Sequence, residues 1–411
     1  MFLSLRDRFV LLAGLAYIVL EVFSAPIRMG LSMTGLSILI YLPKGLMGLA
    51  TLWICMDEPL RRGFSSLRVF SVLLIGTAFM IGLLYGSVKQ AFMGMWVLLP
   101  FWYGLAAAGV ILSYFKSVSR AISILWAMAT AGVLINYSIT FPWEGYMYSI
   151  GGVEVEGARE WWSSGGTKRL SGFARTSFDA AVQIQLTAII AAVTTSSRLK
   201  ILLLWLITGL AITLTTSKGV MLVYAVCTPL ILFARFIPEL LFRTAPLVIG
   251  SVGLGLPLSA LAFDVTLSTQ MNATLYNALF SFYDRLNQMW PDAWVLLFDH
   301  GNPVFGRGIG GIGTAQVYFE PLLANAADNI FIYWFVVFGW LALPGFIYLL
   351  LRSTSFRPLT STTHQAVFAL FLASLVYGMT TNIVENAAFA IACGLGLRAV
   401  LAAYSQPRFQ E

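Results

Sequence analysis

Charge is scarce in this chain: Asp, Glu, Lys and Arg make up 10% of its 411 residues, against about a quarter in a soluble globular domain. That shortage excludes an ordinary water-soluble fold. Cysteine is nearly absent too, and Cys55, Cys227 and Cys393 are scattered through or beside apolar stretches. They offer neither a disulfide framework nor a metal-ligand spacing, and read as packing residues. The polar segments lack the tight acidic cluster that a divalent cation needs, so no metal and no cofactor are expected. The glycine run Gly306-Arg-Gly-Ile-Gly-Gly-Ile-Gly313 has no alternating strand before it and no Lys-Ser or Lys-Thr pair after it. It is therefore no nucleotide loop, and reads as flexible turn glycines beside a substrate cleft.

What is abundant is apolar residues, 59% of the chain at a mean hydropathy of +0.83, and they come in blocks. Crossing about 30 Å of hydrocarbon takes roughly 17–25 helical residues. The blocks predict an all-α polytopic membrane protein of about a dozen transmembrane helices. These lie near Phe9–Phe23, Met33–Ile54, Phe70–Tyr85, Phe92–Phe115, Ile122–Phe141, Phe178–Val193, Ile201–Leu214, Val220–Ile237, Ala245–Phe263, Asn329–Leu351, Ala366–Thr380 and Ala387–Ala403. Arg6 and Arg8 before the first block also suit a signal peptide, but the segment is read as a retained span.

Lysine and arginine mark cytoplasmic connections. With the N-terminus cytoplasmic, alternate connections carry Arg61, Arg62 and Arg68, Lys116 and Arg120, Arg198 and Lys200, Arg235 and Arg243, Arg352 and Arg357, and Arg398 and Arg408. Both termini are then cytoplasmic, and the chain is a single membrane domain with two long outer loops, residues 142–177 and 264–328. The first loop holds Glu154, Glu156, Glu160, Trp161 and Trp162, and the second Tyr276, Tyr283, Trp290, Trp294 and Tyr318. Aromatics there serve either as interfacial anchors or as glycan-stacking platforms. Lys168, Arg169, Arg175, Lys218, Arg285 and Arg307 break the positive-inside pattern on the outer side. They either pair with Asp179, Asp284 or Asp292, contact lipid phosphate, or together bind an anionic ligand such as a lipid diphosphate, whose oxygens suit arginine forks and helix N-termini.

The segment Arg169-Leu-Ser-Gly-Phe-Ala-Arg-Thr-Ser-Phe-Asp179 before an apolar helix resembles the arginine-led loop of the O-antigen ligase and repeat-unit polymerase superfamily of bacterial membrane proteins. Thr215-Thr-Ser-Lys-Gly219 is similar to that superfamily's serine-basic-glycine turn. Asp284-Arg-Leu-Asn-Gln-Met-Trp290, Pro303-Val-Phe-Gly-Arg-Gly-Ile-Gly310 and Ala327-Asp-Asn329, with Phe338-Gly and Pro344-Gly345 beyond, follow in the family's order. The resemblance spans roughly residues 165 to 350.

It implies an inverting glycosyltransferase of the inner membrane that uses an undecaprenyl-diphosphate-linked oligosaccharide and no nucleotide sugar. Its partners would be that donor, a glycan acceptor, membrane lipid, and chain-length regulators or other polysaccharide-assembly proteins; nucleic acid is not expected. Arg169, Arg175, Lys218, Arg285 and Arg307 would stabilise the leaving diphosphate, while Trp161, Trp162 and Trp290 would bind glycan. Asp328 stands where the ligases carry histidine, which favours a polysaccharide polymerase over a ligase. Asp328 is the first candidate for the base and Glu385, in Thr381-Asn-Ile-Val-Glu-Asn386, the second. Two bland alternatives stand beside these roles: Asp328 as a helix cap, and Glu385 as an arginine's ion-pair partner. His364 reads as interfacial, His300 as a polar-turn residue, and Lys44 as snorkelling or lining the carrier groove. A lipid-linked oligosaccharide transporter is the competing class.

Overall fold

The computed structural model describes residues 4–62, 66–150, 153–163, 166–263, 272–356 and 360–402. Arg357, Arg408 and the segment ends Asp264 and Ala403 lie outside them, as do the side chains of Arg61, Arg62 and Arg68. The helices run α1 (Leu5–Val22), α2 (Ser24–Met33), α3 (Leu42–Arg62), α4 (Ser66–Tyr85), α5 (Val88–Val97), α6 (Leu99–Ser113), α7 (Phe115–Ser138), α8 (Ser177–Thr194) and α9 (Arg198–Thr215). They continue as α10 (Lys218–Leu232), α11 (Glu239–Ser259), α12 (Ala273–Asp284), α13 (Trp290–His300), α14 (Thr314–Phe319), α15 (Ile330–Phe338), α16 (Ala342–Ser353), α17 (Thr362–Gly378) and α18 (Ala387–Ala402).

Each apolar block predicted as a span is mostly helical over its described residues. Among the described residues, by length and apolarity, six helices suffice to cross a membrane, or eight if each of two bent pairs counts as one span. α10 has 15 residues and at about 1.5 Å per residue is shorter than a ~30 Å core. The bent pairs are α1–α2, at 87°, and α5–α6, at 45°. The fold is also not purely helical. The connection between α7 and α8 contains two short antiparallel pairs, β1 (Met147–Ile150) with β2 (Val153–Glu156), and β3 (Trp161–Trp162) with β4 (Lys168–Arg169).

The bundle is ordered by burial. α8 and α17 are buried on every side over most of their length, as expected of central helices. α9 instead leaves Leu199, Leu203, Leu206 and Leu210 exposed along one stripe. Leucines at that helical spacing facing outward are stable in lipid and not in water.

The described part of the segment between α11 and α15 is packed rather than loose. Its α13 lies on α15, with the Trp294 indole donating to the Pro257 carbonyl at 2.8 Å. The glycine run does not flex beside a cleft: residues 306–313 are buried and wedged against α4 and α5. Ile309 donates its N–H to the Ala78 carbonyl at 2.9 Å, so loop backbone meets helix backbone directly. Gly308, at φ +75°, allows this approach, since a Cβ there would sit 2.1 Å from the Gly82 nitrogen. Arg307 secures the same wedge. Its side chain is 2% exposed, it donates to both Glu320 carboxylate oxygens at 3.0 and 3.1 Å, and it reaches the Gly311 carbonyl at 3.0 Å.

Candidate functional site

A polar chamber of about 230 Å³ forms where α1 breaks into α2 beside the start of α8 and the α17–α18 connection. A helix end leaves backbone groups without intrahelical partners. Here the Glu21 carbonyl accepts from Gln183 Nε2 at 2.9 Å, and the Ala25 N–H donates to the Phe173 carbonyl at 3.0 Å. Phe23 stacks on Phe173 with ring centroids 5.5 Å apart. The break is thus tied to the arginine-led loop that precedes α8. Glu21, Ser24 and Arg28 from the break face Arg175, Asp179 and Glu385 across the chamber.

The walls are held by local chemistry. Thr176 caps α8, accepting from the Asp179 N–H at 3.1 Å, and its hydroxyl donates to the Asp179 carboxylate at 2.8 Å. Asn386 Nδ2 donates to the other Asp179 oxygen at 3.3 Å, linking α8 to the connection before α18. Glu385 accepts from the backbone N–H and hydroxyl of Thr314, at 2.8 and 2.7 Å. Gly313, at φ +79°, gives it room, because a Cβ there would lie 2.3 Å from the carboxylate. Burial pushes the Glu385 carboxyl above its ordinary range, with the Thr314 hydrogen bonds opposing the shift. Among the described residues, no three His, Cys, Asp or Glu side chains are placed to share a metal ion.

A second cluster is joined to the same α17–α18 connection, because Asn329, next to Asp328, donates to the Met379 carbonyl at 2.9 Å. Arg285 opens a π-helical turn, Arg285–Met289, an uncommon geometry that often marks function. Its guanidinium donates to Asp328 Oδ2 at 2.7 Å and to the Ser281 carbonyl at 2.6 Å. Ala327 and Asp328 are both left-handed, at φ 65° and 43°, which strains two consecutive non-glycine residues by about 1–3 kcal/mol each. Asn325 holds the first by accepting the Ala327 N–H at 2.7 Å.

Asp328 is not the cap of α15. Asn329 is: its Oδ1 accepts from Phe331 at 2.7 Å and Ile332 at 3.2 Å, while its Nδ2 donates to the Gly253 and Met379 carbonyls at 2.9 Å each. The Asp328 carboxylate is therefore left to Arg285. Burial raises the Asp328 carboxyl above its usual range, and Arg285 only partly opposes that.

The other predicted residues occupy separate surroundings. Lys168 pairs with Glu144 and, at 3.1 Å, with Glu160, which braces the connection between α7 and α8. Arg169 lies 4.9 Å from the Trp161 ring and 5.2 Å from Phe178, with Arg159 at 4.0 Å from the same indole. Burial lowers the pKa of the Arg169 guanidinium. Trp162 is half exposed, whereas Trp290 is fully buried, packed edge-on against Phe282, and is a core residue in this conformation. Lys218 is the first residue of α10, just past Thr216 at φ 56°. Arg307 is committed to the glycine wedge.

The chamber residues Glu21, Ser24 and Arg28 were not anticipated. A signal existed: a glutamate inside an apolar block, Tyr17-Ile-Val-Leu-Glu21-Val-Phe-Ser-Ala-Pro26, with a proline just beyond, reads as an intramembrane charge at a helix break. No protein-family model, curated protein or solved structure matches the chain.

Proposed function

We propose that the protein is a multi-pass inner-membrane glycosyltransferase with about a dozen crossings and both termini cytoplasmic. It transfers glycan repeat units from an undecaprenyl-diphosphate donor to a sugar hydroxyl at the periplasmic face, most simply as a polysaccharide polymerase. The observation that carries this reading is the Arg285–Asp328 pair on a strained, π-helical corner, beside Asn329, which donates to the Met379 carbonyl just past α17. The reaction needs a cation for the leaving group and a carboxylate for the nucleophile, and this pair supplies both. A diphosphate oxygen arriving at Arg285 competes with Asp328 and frees its carboxylate. The acceptor hydroxyl oxygen then attacks the anomeric carbon, its proton passes to Asp328, and the bond to the diphosphate oxygen breaks with inversion. Arg175 and Arg169 add positive charge on the same side, and Lys218 extends it. Glu385, held by Thr314, serves better as a positioning group than as the base.

The broken α1–α2 span with Glu21 at its bend favours a second reading, a lipid-linked oligosaccharide transporter. The deciding experiment is reconstitution of the purified protein with a polyprenyl-diphosphate-linked oligosaccharide and no nucleotide. A ladder of lengthening products supports the polymerase. A single product appearing only with lipid A–core would make it a ligase, and lipid movement across the bilayer without a new product would make it a transporter.

A further inference from the structure

The chamber at the α1–α2 break has more built polarity than the diphosphate chemistry uses. Ser24 is 3% exposed, lines the chamber, and its hydroxyl has no hydrogen-bond partner. The Arg28 Nε on the same wall is likewise buried and unpartnered, while its Nη1 is held by the Tyr148 hydroxyl at 2.7 Å. A buried polar group without a partner is costly, and is expected where a ligand supplies the missing bond.

The volume restricts that ligand. About 230 Å³ lies below the roughly 300–1,000 Å³ of drug-sized pockets. That space seats about one sugar ring, with any further rings of an oligosaccharide outside it. The lining also restricts charge. Two arginines, Arg28 and Arg175, face three carboxylates, Glu21, Asp179 and Glu385, so charges of both signs line the space and neither an anion nor a cation meets a wall of opposite charge only. A neutral ring with several hydroxyls can both donate to carboxylates and accept from Ser24 and the guanidinium groups.

We propose that this chamber is a binding subsite for one neutral pyranose ring, with Glu21, Ser24 and Arg28 reading its hydroxyls. Its service as the seat of the acceptor's terminal sugar rests on the glycosyl-transfer reading above; sugar binding itself does not.

The test is saturation-transfer NMR on the protein in nanodiscs with three probes: a methyl hexopyranoside, a methyl N-acetylhexosaminide and a methyl hexuronide. At least one neutral glycoside receives saturation in the native protein. The signal falls to that of empty nanodiscs in Ser24→Leu and in Ala387→Leu, which fill the chamber from different helices, and it persists in Arg285→Ala. Each variant is first checked for monodisperse elution, so that if one fails to insert, the other still reports. Saturation by no neutral glycoside, saturation by the hexuronide alone, or an undiminished signal in a filled variant that inserts would each overturn the proposal. Sugar binding without glycosyl transfer by the native protein would leave the subsite standing and remove the enzyme.

Discussion

The Arg285–Asp328 pair separates structure from chemistry because the two roles predict effects of different size. Its side chains are 18% and 24% exposed, so removing one partner costs more than the roughly 0–1 kcal/mol of a surface pair and less than the roughly 3–5 kcal/mol of a fully buried one. Arg285→Ala should therefore shift thermal unfolding by only a few degrees. If Arg285 stabilises charge developing on the leaving diphosphate, losing it costs about 2.7–4 kcal/mol in the transition state, or 10²–10³-fold in turnover. Asp328→Asn keeps the size and removes the base, for an expected loss of roughly 10²–10⁴-fold. The charge-swapped double variant, Arg285→Asp with Asp328→Arg, is the sharpest arm. It restores an ion pair, and so restores stability, but places a carboxylate where the diphosphate needs a cation. Melting followed by tryptophan fluorescence and transfer followed by product size in proteoliposomes give the two readouts. Activity within threefold of wild type in Arg285→Ala, or recovery in the swapped variant, would refute the diphosphate role.

Burial holds the Asp328 carboxyl above the ordinary carboxylate range, and a base must be ionised, so transfer falls as pH drops through that raised value. Removing the opposing Arg285 moves this acidic limb to higher pH in whatever activity remains. The linked stability runs the other way: between the ordinary and the raised value the folded state binds the extra proton, so stability falls as pH rises through that window. Asn329→Ala removes the α15 cap and orphans two buried carbonyl contacts, for about 2–4 kcal/mol in chemical unfolding in micelles. Gly308→Ala drives a Cβ into α4 backbone and should abolish accumulation of folded protein, scored by size-exclusion yield. Trp290→Ala leaves a large core cavity and costs about 3–5 kcal/mol, whereas Trp162→Ala leaves melting unchanged and, where glycan stacks there, weakens donor KM alone.

The helices were legible because hydrophobic blocks and turn residues are local signals. The cations singled out by the charge rule were legible as candidates. What was not legible is which partner each cation takes, because that depends on contacts between residues far apart in the chain. Arg285 and Asp328 are 43 residues apart, Asp179 and Asn386 are 207 apart, and Gln183 reaches back 162 residues to Glu21. Composition treats Arg307 and Arg285 alike, yet the glycines around Arg307 let its loop close onto α4 and bury it against Glu320, while the π-helical turn leaves Arg285 partly open to solvent. The base-or-cap question at Asp328 likewise turned on its neighbour. Either Asp328 or Asn329 can start a helix by composition; once Asn329 takes both backbone donors with its amide fixed on two distant carbonyls, the capping role is filled. The strained left-handed pair before it then has a use, because it turns the carboxylate of Asp328 away from the helix start and onto Arg285.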